Sequence, residues 1–179
     1  MKRIIAISVL VILATLILNA YNLTYSEQVQ RDMFASVVVL PTFKLSLDNA
    51  SINFGYAEPG KTIELNPYAH YNEVRCKSNK GKTWYLKVSV TGNIIGPEDS
   101  NVGIDSFKWQ VVSSSGDGVA EQGWQSFSQT PVRVYTSGER DALGEEVVIR
   151  FKYKLDMPQT AKGGNYSVNV LYTMTDMPI

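Results

Sequence analysis

The stretch that decides the fold is Val147-Val148-Ile149-Arg150-Phe151-Lys152-Tyr153-Lys154-Leu155. Its odd-numbered side chains are all apolar or aromatic, whereas Arg150, Lys152 and Lys154 stand between them. A period of two puts the apolar side chains on one face of a strand and the basic ones on the other. Such half-buried strands are typical of antiparallel sheets, because the strands of buried parallel sheets carry unbroken apolar runs.

The same alternation recurs on both sides of this stretch. It is found at residues 43–47, 63–65, 74–76, 84–90, 107–111, 132–134 and 166–174. Turn-forming residues separate these runs, as in Lys162-Gly163-Gly164-Asn165, and no segment after residue 40 has a helical period. The pattern predicts an all-β protein whose residues 42–179 form an antiparallel β-sandwich of about seven to nine strands.

The first twenty residues differ from the rest of the chain. Lys2 and Arg3 precede an aliphatic run over residues 4–18, which predicts a secretory signal peptide at residues 1–20. A retained membrane anchor is the alternative, because residues 4–26 carry no charge and about 20 apolar residues span a bilayer. Either segment predicts an exported protein, at the extracellular surface or in the periplasm. Contact with a membrane is expected only if this leader is retained.

Composition narrows the range of partners. The 179 residues are enough for one domain with a sizeable core. The formal net charge is zero, and without Lys2 and Arg3 the rest of the chain has 15 basic and 17 acidic residues. This balance lacks the basic excess of a nucleic-acid-binding domain. We therefore expect no nucleic-acid partner.

A polar arm over residues 21–41 connects the leader to the predicted sandwich. It ends, before Pro41, in four consecutive apolar residues: Val37, Val38, Val39 and Leu40. One interpretation is a first strand that is broken by Pro41 and continued by residues 43–47. The other is an assembly arm that adds a strand to the exposed sheet edge of a neighbouring subunit. The arm is longer than a domain needs to reach its first strand, which favours the second interpretation.

Residues that carry chemistry are too sparse for an active site. The single histidine, His70, and the single cysteine, Cys76, lie six residues apart and do not supply a metal site or a nucleophile with its base. Glu145 and Glu146 are adjacent, so a strand sends them to opposite faces and they do not resemble a glycosidase pair. Cys76 shares a strand face with Val74, which indicates a small buried side chain. We predict no catalysis, no cofactor and no metal.

Aromatic residues offer the better candidates for binding. The chain has three Trp, ten Tyr and six Phe. Most of them fall on apolar strand faces and are expected in the core. Tyr85 and Tyr135 fall on outward faces and Trp124 lies in a loop-like stretch, so these three are the candidate exposed binding aromatics.

Two groups of motifs resemble a known class of proteins. The first group is Ile52-Asn53-Phe54-Gly55, Pro59-Gly60, Val74-Arg75-Cys76-Lys77-Ser78-Asn79 and Trp84-Tyr85-Leu86-Lys87-Val88. It resembles the opening strands of many bacterial surface sandwiches. The second group is Gly163-Gly164-Asn165-Tyr166-Ser167-Val168-Asn169-Val170-Leu171-Tyr172-Thr173-Met174-Thr175. It is similar to the last strand of fimbrial subunits, spore-coat U-type domains and WxL-type wall-binding domains.

The resemblance covers most of residues 43–176 and implies an exported, immunoglobulin-like sandwich with a structural or adhesive role. The chain lacks the cysteine pair common in fimbrial subunits, and Trp84-Tyr85-Leu86 is its one Trp-x-Leu sequence. The resemblance therefore implies a fold and a broad role, but no specific binding residues.

Two functions follow from these observations. The first is a non-enzymatic structural subunit of a surface filament or fimbria-like assembly, a homopolymer in which the arm completes a neighbour's sandwich. The second is a monomeric surface or periplasmic adhesion module that holds a cell-wall glycan or another surface protein. Arm length favours the first.

Overall fold

The computed structural model describes residues 31, 33–65 and 72–178. The predicted leader, most of the arm and His70 lie outside these ranges. The chain divides into two units, residues 1–38 and residues 39–179. The described part of the first unit forms neither helix nor strand, and its side chains are exposed. No helix in the described ranges is long and apolar enough to cross a membrane.

The second unit is built from antiparallel strands, and its described residues contain no α-helix. Seven strands have five or more residues and five have two or three. In chain order they are β1 (Phe43–Leu47), β2 (Thr62–Glu64), β3 (Asn72–Ser78), β4 (Tyr85–Val90), β5 (Ile94–Ile95), β6 (Asn101–Val102), β7 (Phe107–Ser114), β8 (Val119–Ala120), β9 (Gln125–Ser126), β10 (Val132–Thr136), β11 (Glu146–Asp156) and β12 (Val170–Thr175). The all-β prediction is confirmed, and the two-residue strands β5, β6, β8 and β9 are what periodicity did not reveal.

Two sheets face each other. The larger sheet has the strand order β1-β3-β11-β7-β9, with β2 paired to the far end of β11. The smaller sheet has the order β12-β4-β10-β8, and β5 and β6 form a separate hairpin. The eleven-residue strand β11, which contains the deciding stretch, lies in the middle of the larger sheet.

The core lies between the inward faces of the two sheets. Alternate residues of β11 enter it, and Val147, Ile149, Phe151 and Tyr153 are fully buried. The tryptophans Trp84 and Trp109 are fully buried as well. Cys76 is buried among them, as its position beside Val74 predicted. Burial of these aromatic and aliphatic side chains is the main stabilising contribution, at about 25 cal/mol per Å² of apolar surface.

Tyr135 is fully buried, so the prediction that it is an exposed binding aromatic is wrong. The pairing of β10 with β4 shifts register between Arg133 and Tyr135. Such a bulge adds one residue to a strand and interrupts its alternation. Val134 and Tyr135 are consequently both buried, and the Tyr135 hydroxyl donates a 2.7 Å hydrogen bond to Asp141 Oδ2.

Two predicted strand segments are also corrected. Residues 51–59, which resemble an opening strand, contain no strand. Instead Phe54 anchors this segment edgewise on Phe107, with ring centroids 5.6 Å apart. The last strand begins at Val170 rather than Tyr166, because Ser167 pairs with Ile95 of the small hairpin.

Candidate functional site: an open seam between the sheets

The two sheets are not joined by strand pairing along one side. The strand β1 is an edge of the larger sheet and β12 is an edge of the smaller one. Lys80 connects the two edges, since its Nζ lies 4.4 Å from the ring centre of Phe43 and 3.6 Å from Asp176 Oδ2. The strands do not pair with each other. We call the gap between β1 and β12 the seam.

Core-facing side chains of β1 stay exposed at the seam. The register places Phe43 and Leu47 on the same face as Cys76 and Val74, which are fully buried. Nevertheless Phe43 is 36% exposed and Leu47 is 42% exposed. The inward-facing residues of β12 are likewise only partly buried. The core is therefore incompletely covered along this side.

Both edges at the seam present backbone groups to solvent. The Thr91 N–H donates to the Asn169 carbonyl, and the pairing of β12 with β4 continues from there. In an antiparallel pair, hydrogen-bonded positions alternate with positions whose N–H and C=O point away. The outward-pointing groups of β12 therefore belong to Val170, Tyr172 and Met174.

The edge of β1 follows the same rule. Its flanking hydrogen bonds, from Asn79 N–H to the Thr42 carbonyl and from Asp48 N–H to the Glu73 carbonyl, fix the even-numbered residues as those bonded to β3. The N–H and C=O groups of Phe43, Leu45 and Leu47 therefore point into the seam. A strand added to either edge would find unpaired donors and acceptors there.

An apolar cleft of about 360 Å³ opens at one end of the seam, where β1 ends and β12 begins. One wall is the segment from Leu47 to Phe54 and the other is the segment from Tyr166 to Tyr172. Ile94, Phe107 and Leu155 line it as well. The cleft has the chemistry to accept aliphatic side chains, because burying each one against such a lining contributes about 1.5–3 kcal/mol.

A polar cluster lies beside the cleft. The hydroxyls of Tyr153 and Tyr172 are 2.6 Å apart, and Asn72 Nδ2 donates to Tyr153 at 3.4 Å. Burial raises the pKa of Tyr153 to about 12 and raises the pKa of Tyr172 as well. Both phenols are therefore neutral at ordinary pH and act as hydrogen-bonding groups.

The junction between arm and sandwich is held by one side chain. Asn79 Nδ2 donates to the Leu40 carbonyl at 3.0 Å, and Asn79 Oδ1 accepts from the Thr42 N–H. We call these two hydrogen bonds the clamp at Asn79, and the strand β1 begins only after them. Val37, Val38, Val39 and Leu40 form no strand with any described residue, and each is at least 74% exposed.

The remaining candidate aromatics lie on opposite sheets. Tyr85 is half-buried at the start of β4 in the smaller sheet. Trp124 is half-buried beside β9, on the outward face of the larger sheet, where it contacts Lys152 and Lys154. The structure does not bring these aromatics together into one site.

Cys76, the one cysteine of the sequence, is a buried thiol. Burial raises the pKa of the Cys76 thiol to about 12, so the thiolate form is suppressed. No group of three or more His, Cys, Asp or Glu side chains within the described ranges could hold a metal ion.

Comparisons with known proteins leave the family of this chain open. No family model and no curated protein matches the sequence. Among solved structures, a family 123 glycoside hydrolase from Clostridium perfringens, whose structure describes glycolipid glycan hydrolysis, is similar at 11% identity and a TM-score of 0.42. The match covers 77% of this chain and 25% of that one, so this chain spans about a quarter of its length. A likeness this distant supports no argument about activity.

Proposed function

We propose that the protein is an exported, non-enzymatic structural subunit that forms a homopolymer by strand addition. In this account its sandwich is of the immunoglobulin-like kind. The arm of one copy, through Val37–Leu40, enters the seam of the next copy. The observation that carries the proposal is the exposure of core-facing side chains along an open seam, at Phe43 and Leu47.

Backbone chemistry supports strand addition at this place. An exposed edge with unpaired N–H and C=O groups binds extended chain readily, and natural proteins cover such edges unless they use them. Here two edges lie on the same side of the sandwich, above an apolar cleft. An inserted strand would therefore pair through its backbone and bury alternate side chains.

The arm has the matching properties. Val37–Leu40 is exposed and β-branched in three of its four residues, which favours strand conformation. Because alternate residues of a strand share a face, Val38 and Leu40 enter the cleft together, or Val37 and Val39 do. A copy of the chain thus carries both a ligand strand and a site for one.

The test uses the chain from Tyr21 to Ile179 and follows its size by sedimentation velocity. We expect the unsubstituted protein to form polymers whose length rises with concentration. The double variants Val38→Lys/Leu40→Lys and Val37→Lys/Val39→Lys are each expected to assemble less, with the larger loss identifying the buried face.

Tyr56→Lys is the matched control, because Tyr56 is a fully exposed apolar residue outside the arm and the strands. It should assemble like the unsubstituted protein. Unchanged polymers in both arm variants would refute the proposal.

A further inference from the structure

The outward face of the larger sheet carries an aromatic ring held by two cations. Trp124 directly precedes β9, which pairs with β7. Its ring extends to β11, where the ring centre lies 4.7 Å from Lys152 Nζ and 4.6 Å from Lys154 Nζ. Cation–π contacts at such distances orient the ring and contribute about 0.5–1 kcal/mol at exposed sites. Trp124 remains half-buried, so part of its surface is open to solvent.

This face also concentrates positive charge. Residues paired across neighbouring strands share a face, so the registers identify its charged side chains. Seven are basic: Lys44, Arg75, Lys77, Lys108, Arg150, Lys152 and Lys154. Four are acidic: Glu64, Glu73, Glu146 and Asp156. The other positions between residues 42 and 178, most of them in loops, carry seven basic and eleven acidic residues.

The four carboxylates of the face are already engaged. Glu73 pairs with Arg75 and with Arg150, and Glu146 lies 3.4 Å from Arg75. Two lysines hold the other two carboxylates, Lys152 with Glu64 at 3.1 Å and Lys108 with Asp156 at 2.8 Å. Three lysines of the face have no ion pair with any described residue: Lys44, Lys77 and Lys154. The excess charge therefore belongs to lysines that are available to an anion.

We propose that the outward face of the larger sheet binds an anionic polysaccharide, with Trp124 and Lys154 at the centre of the site. The indole ring stacks on a sugar ring, and Lys154 binds the carboxylate of that sugar. Lys44 and Lys77 lie directly opposite each other on β1 and β3 and bind further along the polymer. This site is separate from the seam, and the proposal does not depend on assembly.

Charge complementarity and shape favour this partner. The strand β11 runs eight residues from Glu146, which is paired to Lys77, to Lys154, a distance of about 26 Å at 3.3 Å per residue. An extended polymer with spaced charges fits such a row better than a compact anion does. The moderate excess of three charges is too small for the dense phosphates of nucleic acid, which favour strongly basic faces.

The test measures binding of the chain from Tyr21 to Ile179 to immobilised polygalacturonate. Pullulan serves as a neutral polysaccharide, poly-L-glutamate as an anion without sugar rings, and a single-stranded thymidine oligonucleotide as a stacking polyanion. We expect binding to polygalacturonate that weakens as salt is raised and that exceeds binding to each of the other three polymers.

Variants locate the site. Trp124→Ala and Lys154→Gln are each expected to weaken binding to polygalacturonate by about fivefold, and Trp124→Phe to retain most of it because the ring is kept. Lys87→Gln removes a lysine from the smaller sheet and should change binding by less than about twofold. Urea unfolding of each variant shows that the fold is retained.

Three results would overturn the proposal. Equal binding to poly-L-glutamate would show attraction by charge alone, and stronger binding to the oligonucleotide would assign the face to nucleic acid. Full binding by Trp124→Ala and Lys154→Gln would place the site elsewhere.

Discussion

At the scale of single residues, Asp141 organises one end of the sandwich. Its carboxylate accepts hydrogen bonds from the backbone N–H groups of Asp117, Gly118 and Gly138 and from the Tyr135 hydroxyl. Its own carbonyl accepts from the Trp84 indole N–H at 3.2 Å. Asp141 is fully buried, and a buried carboxylate is tolerated when several donors satisfy it.

Removing this carboxylate should be costly. Asp141→Ala removes the acceptor of the part-buried Asp117 and Gly138 N–H groups and of the buried Tyr135 hydroxyl. We expect the free energy of unfolding to fall by about 3 kcal/mol. Tyr135→Phe removes one donor and should cost about 1–2 kcal/mol. Urea denaturation measures both. A loss below about 1 kcal/mol in Asp141→Ala would contradict this role.

The contacts of Asp156 make the stability of the folded state depend on pH. Hydrogen bonds from Lys108 Nζ at 2.8 Å and Thr62 Oγ1 at 2.6 Å lower the pKa of Asp156. The folded state therefore binds this proton more weakly than the unfolded state does. The resulting stability is present above the unfolded pKa of about 3.9 and is lost as the pH falls through the folded pKa.

Asp156→Asn should lower the free energy of unfolding at neutral pH by at most about 1 kcal/mol, because the ion pair is partly exposed and screened. The difference from the unsubstituted protein should shrink as the pH falls below the unfolded pKa of about 3.9. Urea unfolding from neutral to acidic pH measures this difference in the free energy of unfolding. Glu58→Gln is the control, because Glu58 is an exposed carboxylate. A difference that grows as the pH falls would contradict the assignment.

Sequence alone identified most of the buried side chains. Strict alternation identified Phe151 and Trp109 as inward-facing, and both are buried. It misplaced Tyr135 because a bulge changes the alternation, and a single extra residue has no signature in the pattern. The contact of Trp124 with Lys154 joins residues thirty positions apart, so no local motif could reveal it.

At the scale of elements, the open edges are the feature that matters most. Long strands such as β11 are evident from periodicity, because each of their faces has one environment. The seam was not evident, since it depends on which strands occupy the sheet edges. The segment 51–59 resembles a strand in sequence, yet it is held by the side-chain packing of Phe54.

Two proline substitutions in β12 test which of its backbone N–H groups point into the seam. The N–H of Leu171 belongs to a position bonded to β4, whereas the N–H of Val170 points into the seam. Leu171→Pro should therefore destabilise the sandwich by about 3 kcal/mol or more. Val170→Pro should leave the fold largely intact but reduce assembly, because proline is tolerated where an edge N–H faces solvent.

Urea unfolding measures the stability of these two proline variants, and sedimentation velocity measures their assembly. Leu171 is 54% exposed, so loss of packing would not explain a large effect there. Equal destabilisation by the two prolines would contradict the assigned edge, and full assembly by Val170→Pro would argue against strand addition at β12.

At the scale of the whole molecule, the described sandwich combines three features. It has an incompletely covered core along the seam, a basic outward face on the larger sheet, and a clamp at Asn79 that fixes where the sandwich begins. Composition predicted a balanced overall charge, but the basic excess on one sheet face depends on strand order. The proposed polymer uses the seam and leaves the basic face free to bind.

The most direct test of the central claim is negative-stain electron microscopy of the protein from Tyr21 to Ile179 beside a variant that begins at Thr42. We expect filaments from the longer protein and none from the shorter one, which keeps the seam but lacks the arm. Two equally stable monomers, or filaments from both proteins, would contradict assembly through the arm.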